Sequence, residues 1–327
     1  MKKTIVMMMI CMVLSSCINQ HLTPSKPSNE FPLKGVSLSP KSFNPDDFTN
    51  FFEKAGQAGS IISWAGDWNE LKTNESPVVV TELARTHGLI PVVQAQFFTQ
   101  STGQLIRPLT EKTTQDYITS AVSFAEKYTP AYLGFGIEIN ALYEKSPEDF
   151  EEFITLYDTV YKRVKEVSPT TQVFTIFQLE KMKGLHGGLY GGENTKNTEW
   201  WLLNKFECDI TVFTTYPGLI YQNPSDIPDD YYTEIVLHTK TRIAFTEMGW
   251  HTSTSIPGWE SSEKEQAEFV KTFFELTKDL TMEFVIWSFL YDQDIFEPFS
   301  SMGLYAPDGH PKLAWGEWIK QKTLFIF

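Results

Sequence analysis

Cysteine is nearly missing: Cys11, Cys17 and Cys208 are the whole complement in 327 residues. That rules out a disulfide framework, so stability has to come from an apolar core. Cys208 lies in the apolar run FECDITVF, which suits a buried thiol better than a nucleophile. The six histidines form neither HxH nor HExxH, so a metal-dependent hydrolase lacks its ligands and no metal or cofactor is expected. There is no GxSxG elbow, and no GxGxxG or Walker loop follows the first apolar strand. Basic residues are scarce as well. Lys and Arg number 27 against 41 Asp and Glu, a formal charge of −14, which argues against a nucleic-acid partner.

The start of the chain sets the expected compartment. Lys2 and Lys3 precede an apolar run over residues 4–14, the pattern of a signal peptide. The run is too short to cross a bilayer, which takes roughly 20 apolar residues. It ends in Leu14-Ser15-Ser16-Cys17, which resembles a bacterial lipobox and implies lipidation of Cys17 after removal of residues 1–16. Residue 18 is Ile rather than Asp, so the usual signal for retention in the inner membrane is absent. The expected location is the bacterial cell envelope, at the outer membrane or cell surface, with the lipid as the only membrane attachment. Residues 17–30 are polar and contain Pro24 and Pro27, reading as a tether. Residues 31–327 read as one domain, expected as a monomer.

Short apolar segments alternate with amphipathic ones along that domain. Strands are expected at 33–38, 60–64, 89–95, 132–139, 173–177, 209–214, 242–246 and 284–289. Between them lie helical patterns. Asn44-Pro45 and Ser146-Pro147 open two of these, Ser262 and Glu265 form a possible capping box, and Gly88 closes another. Phe48, Phe51, Phe52 and Ala55 share one helical face, as do Tyr117, Ala121 and Phe124. Further helices are expected at 198–206 and 311–322. Eight strand–helix units in under 300 residues predict the α/β class, as a single (β/α)8 TIM barrel. A doubly wound open sheet is the alternative.

In such a barrel the site lies at the carboxyl ends of the strands. Glu138 and Asn140 end the fourth strand there, Gln178 and Glu180 the fifth, Tyr216 the sixth and Glu247 the seventh; Trp287 is on the eighth. Trp64, Asp67 and Trp68 follow the second strand, and Trp250 follows Glu247. Two carboxylates across a barrel mouth are what glycosidic hydrolysis with retention requires: one protonates the leaving oxygen, the other attacks the anomeric carbon.

The stretches GFGIEIN, VFTTYP, FTEMGW and IWSFLYD together resemble glycoside hydrolase clan A. The nearest likeness is to the endo-β-1,4-galactanase group, family 53, with some to the β-1,3-glucanases carrying TE-x-GWP. The resemblance implies a carbohydrate substrate, with Glu138 as acid/base and Glu247 as nucleophile. It further implies Tyr216 holding the nucleophile and Trp287 flooring the sugar site. Trp64, Trp68, Trp250, Asp67, Gln178 and Asn140 are expected to contact substrate. One departure stands out: the clan has Asn before the acid/base, and this chain has Ile137. That departure keeps a second reading open, a non-catalytic carbohydrate-binding or scaffold lipoprotein on a degenerate barrel.

Overall fold

A computed structural model of the chain describes residues 32–72 and 76–321. The expected signal peptide, Cys17 and the tether lie outside the described residues. The strands are β1 Leu33–Ser37, β2 Ile61–Asp67, β3 Ile90–Gln96, β4 Tyr132–Phe135, β5 in two pieces, β6 Thr211–Thr215, β7 Ile243–Met248 and β8 Met282–Trp287. The pieces of β5 are Gln172–Phe174 and Ile176–Gln178, interrupted at Thr175.

Every pairing is parallel. The order runs from the first piece of β5 through β4, β3, β2, β1, β8, β7 and β6 to the second piece of β5. Both ends of the sheet are therefore parts of one strand, and the sheet closes into an eight-stranded barrel. Thr175 seals the seam: its Oγ1 donates to Gly136 O at 3.2 Å, and the next amide, Ile176 N, donates to the same oxygen at 3.1 Å.

Two-residue alternation divides each strand between two cores. Leu33, Ile61, Val92, Tyr132, Phe174, Val212, Ala244 and Phe284 fill the barrel interior. Ile62, Val93, Leu133, Val173, Phe213, Phe245 and Val285 face outward into a larger cluster. There they meet Phe51, Phe52 and Ala55 of α1 (Pro45–Ala58) and Tyr117, Ala121 and Phe124 of α3 (Glu111–Tyr128). The chain between these helices includes α2 (Ser76–Thr86). β1 passes so close to β2 that a Cβ on Gly35 would lie 1.8 Å from Ile61 O, so only glycine fits.

Two expectations need correction. β4 stops at Phe135, four residues early, because Gly136 (φ +77°) and Glu138 (φ 58°) leave extended geometry; α4 (Ile139–Lys145) begins at once, and α5 (Pro147–Val167) follows. The helix expected at 198–206 is a 3-10 turn, Trp200–Lys205, after the short α6 (Leu179–Met182). Between β6 and β7 the connection is also built from 3-10 turns, two of them opening on Pro217 and Pro224. The last two units end in α-helices again, α7 (Glu263–Leu276) and the shorter α8 (Leu313–Lys320). Ser262 Oγ caps α7 by accepting from Glu265 N. Among the described residues no helix is long and apolar enough to cross a membrane.

Candidate active site

Glu138 is delivered by a strained bend. A non-glycine residue in the left-handed region costs roughly 1–3 kcal/mol and persists only where its surroundings enforce it. Gln96, at the end of β3, supplies that enforcement. Its Nε2 donates to Ile137 O at 3.0 Å while its Oε1 accepts from Phe97 N at 3.0 Å. Gly136 N donates to Ala95 O at 2.9 Å. A Cβ on Gly136 would fall 2.9 Å from the Phe153 ring, which adds to the demand its positive φ makes for glycine. Ile137 turns inward and joins the barrel interior.

Glu247 is delivered by a β-bulge. β7 pairs Phe245 with Phe213 of β6, but the next pairing is Glu247 with Thr214. Against β8, Phe245 pairs with Val285 and Met248 with Trp287. Thr246 is the additional residue. In an unbroken strand, Phe245 outward and Thr246 inward would send Glu247 outward again. The bulge instead sets Glu247 beside inward-facing Thr214, and Met248 returns to the outer core.

Both carboxylates are half-buried, and their surroundings differ. Thr214 Oγ1 donates to Glu138 Oε1 at 2.7 Å. Burial, and then the negative charge of Glu247, push the Glu138 carboxyl up to about 7 against that one donor. Glu247 Oε2 accepts from the Tyr216 hydroxyl at 2.7 Å, which also lies 2.8 Å from Ser288 Oγ. Burial raises Glu247 as well, and the Tyr216 donor opposes the rise. Behind them Glu180 is buried. Its Oε1 accepts from Thr215 Oγ1 (2.9 Å), Tyr216 N (2.9 Å) and Tyr231 OH (2.7 Å), fixing the segment that carries Tyr216.

Beside Glu247 a cavity of about 790 Å³ opens at the ends of β1, β2 and β8. Ser37, Ser63 and Ser288 line it together with Glu247; Phe43, Phe48 and Phe289 lie among its apolar walls.

The structure places the other expected contacts differently. Trp287 is fully buried, facing outward, with its indole N–H on Met302 O at 2.8 Å; the residue that reaches the mouth is Ser288, just after β8. Trp68 donates to Tyr117 O at 3.1 Å and stacks on the Tyr117 ring, and Trp250 donates to Ser261 Oγ at 3.0 Å; both are core residues. Trp64 is packed in the outer core but contributes to the cavity wall.

Asn140 is fully buried and tied to β5 at both ends of its amide, accepting from Gln178 N (2.9 Å) and donating to Gln178 O (3.1 Å). It braces the bend rather than facing the mouth. Asp67 is clamped by both guanidinium nitrogens of Arg107, at 2.7 and 2.6 Å. Burial would raise its carboxyl, but Arg107 and the Asn69 amide hold it below the usual range. Gln178 is half-buried at the end of β5.

Sequence reasoning passed over Gln96, Thr214, Ser37, Ser63 and Ser288. Each is a polar residue inside or just after an apolar strand. Counting parity from inward-facing Leu33, Ile61, Val92, Val212 and Phe284 finds all five; parity misplaces only Glu247, on the bulged strand.

No protein-family profile matches the chain, and no curated protein matches it by sequence. Solved structures do match. A family 39 glycoside hydrolase from the gut symbiont Bacteroides cellulosilyticus WH2 superposes with a TM-score of 0.63 at 16% identity, covering 89% of this chain and 63% of its own. The chain thus spans less than two thirds of that enzyme. The GH53 catalytic domain of Ignisphaera aggregans gives 0.62 at 13% identity, over 90% of this chain and 97% of its own. GH5_18 from Streptomyces cattleya, solved in complex with GlcNAc, gives 0.64 at 15% identity, over 90% and 80%. At these identities the likeness shows the fold: a (β/α)8 barrel of the kind these glycoside hydrolases have.

Proposed function

We propose that the protein is a retaining glycoside hydrolase acting on β-linked poly- or oligosaccharides. The observation that carries this is the carboxylate pair in unlike surroundings at the barrel mouth: Glu138, pushed up to about 7, and Glu247, held by the Tyr216 hydroxyl. In the first step the protonated Glu138 gives its proton to the glycosidic oxygen while Glu247 attacks the anomeric carbon, forming a glycosyl ester and releasing the leaving group. In the second, Glu138 takes a proton from water, whose oxygen displaces Glu247. A carboxyl near 7 suits a group that must give up and regain one proton per turnover at neutral pH. The names of the three structural neighbours above, each a glycoside hydrolase, support the same class.

Ile137 favours the second reading, a barrel that binds glycans without cleaving them. Its side chain belongs to the interior core and has nothing to offer a sugar hydroxyl. One experiment separates the two. Aryl β-glycosides and β-linked polysaccharides, including β-1,4-galactan, are assayed with wild type and Glu247→Ala, and a 2-fluoro glycoside is used to trap the intermediate. Turnover lost in Glu247→Ala, with label on Glu247, is expected. Glycan binding without turnover, or label on another residue, overturns the assignment. Lipidation of Cys17 and anchoring in the envelope belong to the same proposal; metabolic labelling with a fatty acid, lost in Cys17→Ala, is the corresponding check.

A further inference from the structure

The cavity beside Glu247 has two unlike kinds of lining. Ser63, Ser37 and Ser288 lie on or just after three adjacent strands, β2, β1 and β8. Ser63 Oγ donates to Ser37 Oγ at 2.9 Å. Ser37, half-buried, therefore keeps its own hydroxyl proton, for which no protein acceptor is present among the described residues. The apolar lining includes Phe43, 76% exposed, with Phe48 and Phe289. The described lining holds two carboxylates, Glu70 and Glu247, and no Lys, Arg or His. A pyranose ring matches such a cavity, with hydroxyls along its edge and C–H bonds on its face.

A sugar carboxylate, sulfate or phosphate does not match it. Desolvating an anion beside like charge, with no guanidinium or ammonium to pair with, is strongly unfavourable. Ser76, in the first turn of α2, is a further uncharged residue of the lining.

Resting on the glycosidase reading, we infer that the glycone unit seated beside Glu247 is an uncharged sugar, and that Ser37 is a specificity-determining residue that donates to one of its hydroxyls. Uronic acids are excluded by the charge of the cavity.

The test compares 4-nitrophenyl β-D-galactoside, β-D-glucoside and β-D-mannoside with 4-nitrophenyl β-D-glucuronide. Calorimetric binding of neutral β-1,4-linked oligosaccharides and of oligogalacturonate runs in parallel. At least one neutral glycoside is expected to exceed the glucuronide by 100-fold or more in kcat/KM, and Ser37→Ala to lower that value about 5- to 10-fold, the worth of one hydrogen bond. Equal or better use of the glucuronide, or tighter binding of oligogalacturonate, overturns the inference while leaving the glycosidase reading intact. If nothing is cleaved, the glycosidase reading fails, and the binding preference still decides the inference. Unchanged kinetics and binding in Ser37→Ala remove that residue from it.

Discussion

One phenolic hydroxyl separates the two carboxylates. Glu138 has a threonine for a donor, whereas Glu247 has Tyr216, whose backbone is pinned in turn by buried Glu180. Tyr216→Phe removes a hydrogen bond to an ionised group. That is worth about 1.5–3 kcal/mol, or roughly a 10- to 100-fold loss in kcat/KM. The sign of the pH effect is fixed. Without its donor the Glu247 carboxylate is less stable and its pKa rises, so the acid limb of the kcat/KM profile moves to higher pH. The base limb belongs to Glu138 and is expected near 7 in the wild type. A profile whose acid limb stays in place in Tyr216→Phe contradicts the assigned roles.

Glu138, Glu247 and Tyr216 were legible because each is a polar residue closing an apolar strand. The tryptophans were misleading because the type of residue says nothing about facing. Trp68, Trp250 and Trp287 each satisfy the indole N–H inside the protein, as buried tryptophans do.

At the scale of elements, the bulge at Thr246 lets two polar residues in succession leave Glu247 on the inner face of β7. Deleting Thr246 removes the bulge, yet Glu247 then follows outward-facing Phe245 directly, and plain alternation keeps it inward beside Thr214. Loss of a catalytic group costs roughly 10³-fold or more in activity, and the deletion is expected to cost less than Glu247→Ala does. Far-UV circular dichroism checks that both variants fold. A folded deletion variant as inactive as Glu247→Ala would mean that facing alone does not place the carboxylate. The pattern of apolar and polar residues in IAFTEM carries no mark of a bulge, because alternation was already broken by two polar residues in succession. The bend after β4 was hidden for a different reason. GFGIEI reads as an uninterrupted apolar strand, and only the tertiary clamp from Gln96 forces it to turn. The split of β5 at Thr175 is likewise a product of ring closure rather than of local preference.

The whole molecule gives up stability to hold Glu138. Burial and the neighbouring charge raise its carboxyl from about 4.5 to about 7, so between those values the folded state binds more protons than the unfolded one. Stability contributed by this group is complete below about 4.5 and falls until about 7. Glu138→Gln, which cannot ionise, is expected to be more stable than wild type at pH 7.5 by about 1–3 kcal/mol, with partial exposure discounted. The gap should close as pH drops toward 4.5, and thermal melts across that range read it directly. A variant less stable than wild type at pH 7.5 would place the carboxyl's role elsewhere. The barrel itself was legible at this scale, since eight alternating segments leave few other topologies, whereas the helices after β5 and β6 gave way to turns.

β1 sits between β2 and β8, and buried Lys34 on β1 donates to Trp318 O at 2.6 Å, a contact spanning 284 residues. Such pairing carries a large loop-closure entropy before it returns any contact energy. As the chain appears N-terminus first, β1 comes out ahead of almost all the rest of the described domain and waits for it. Until β8 and α8 are released, β1 has one exposed edge and Lys34 has no carbonyl to bind. The barrel therefore closes only once α8 is available, and its first strand depends on protection from other chains throughout that interval.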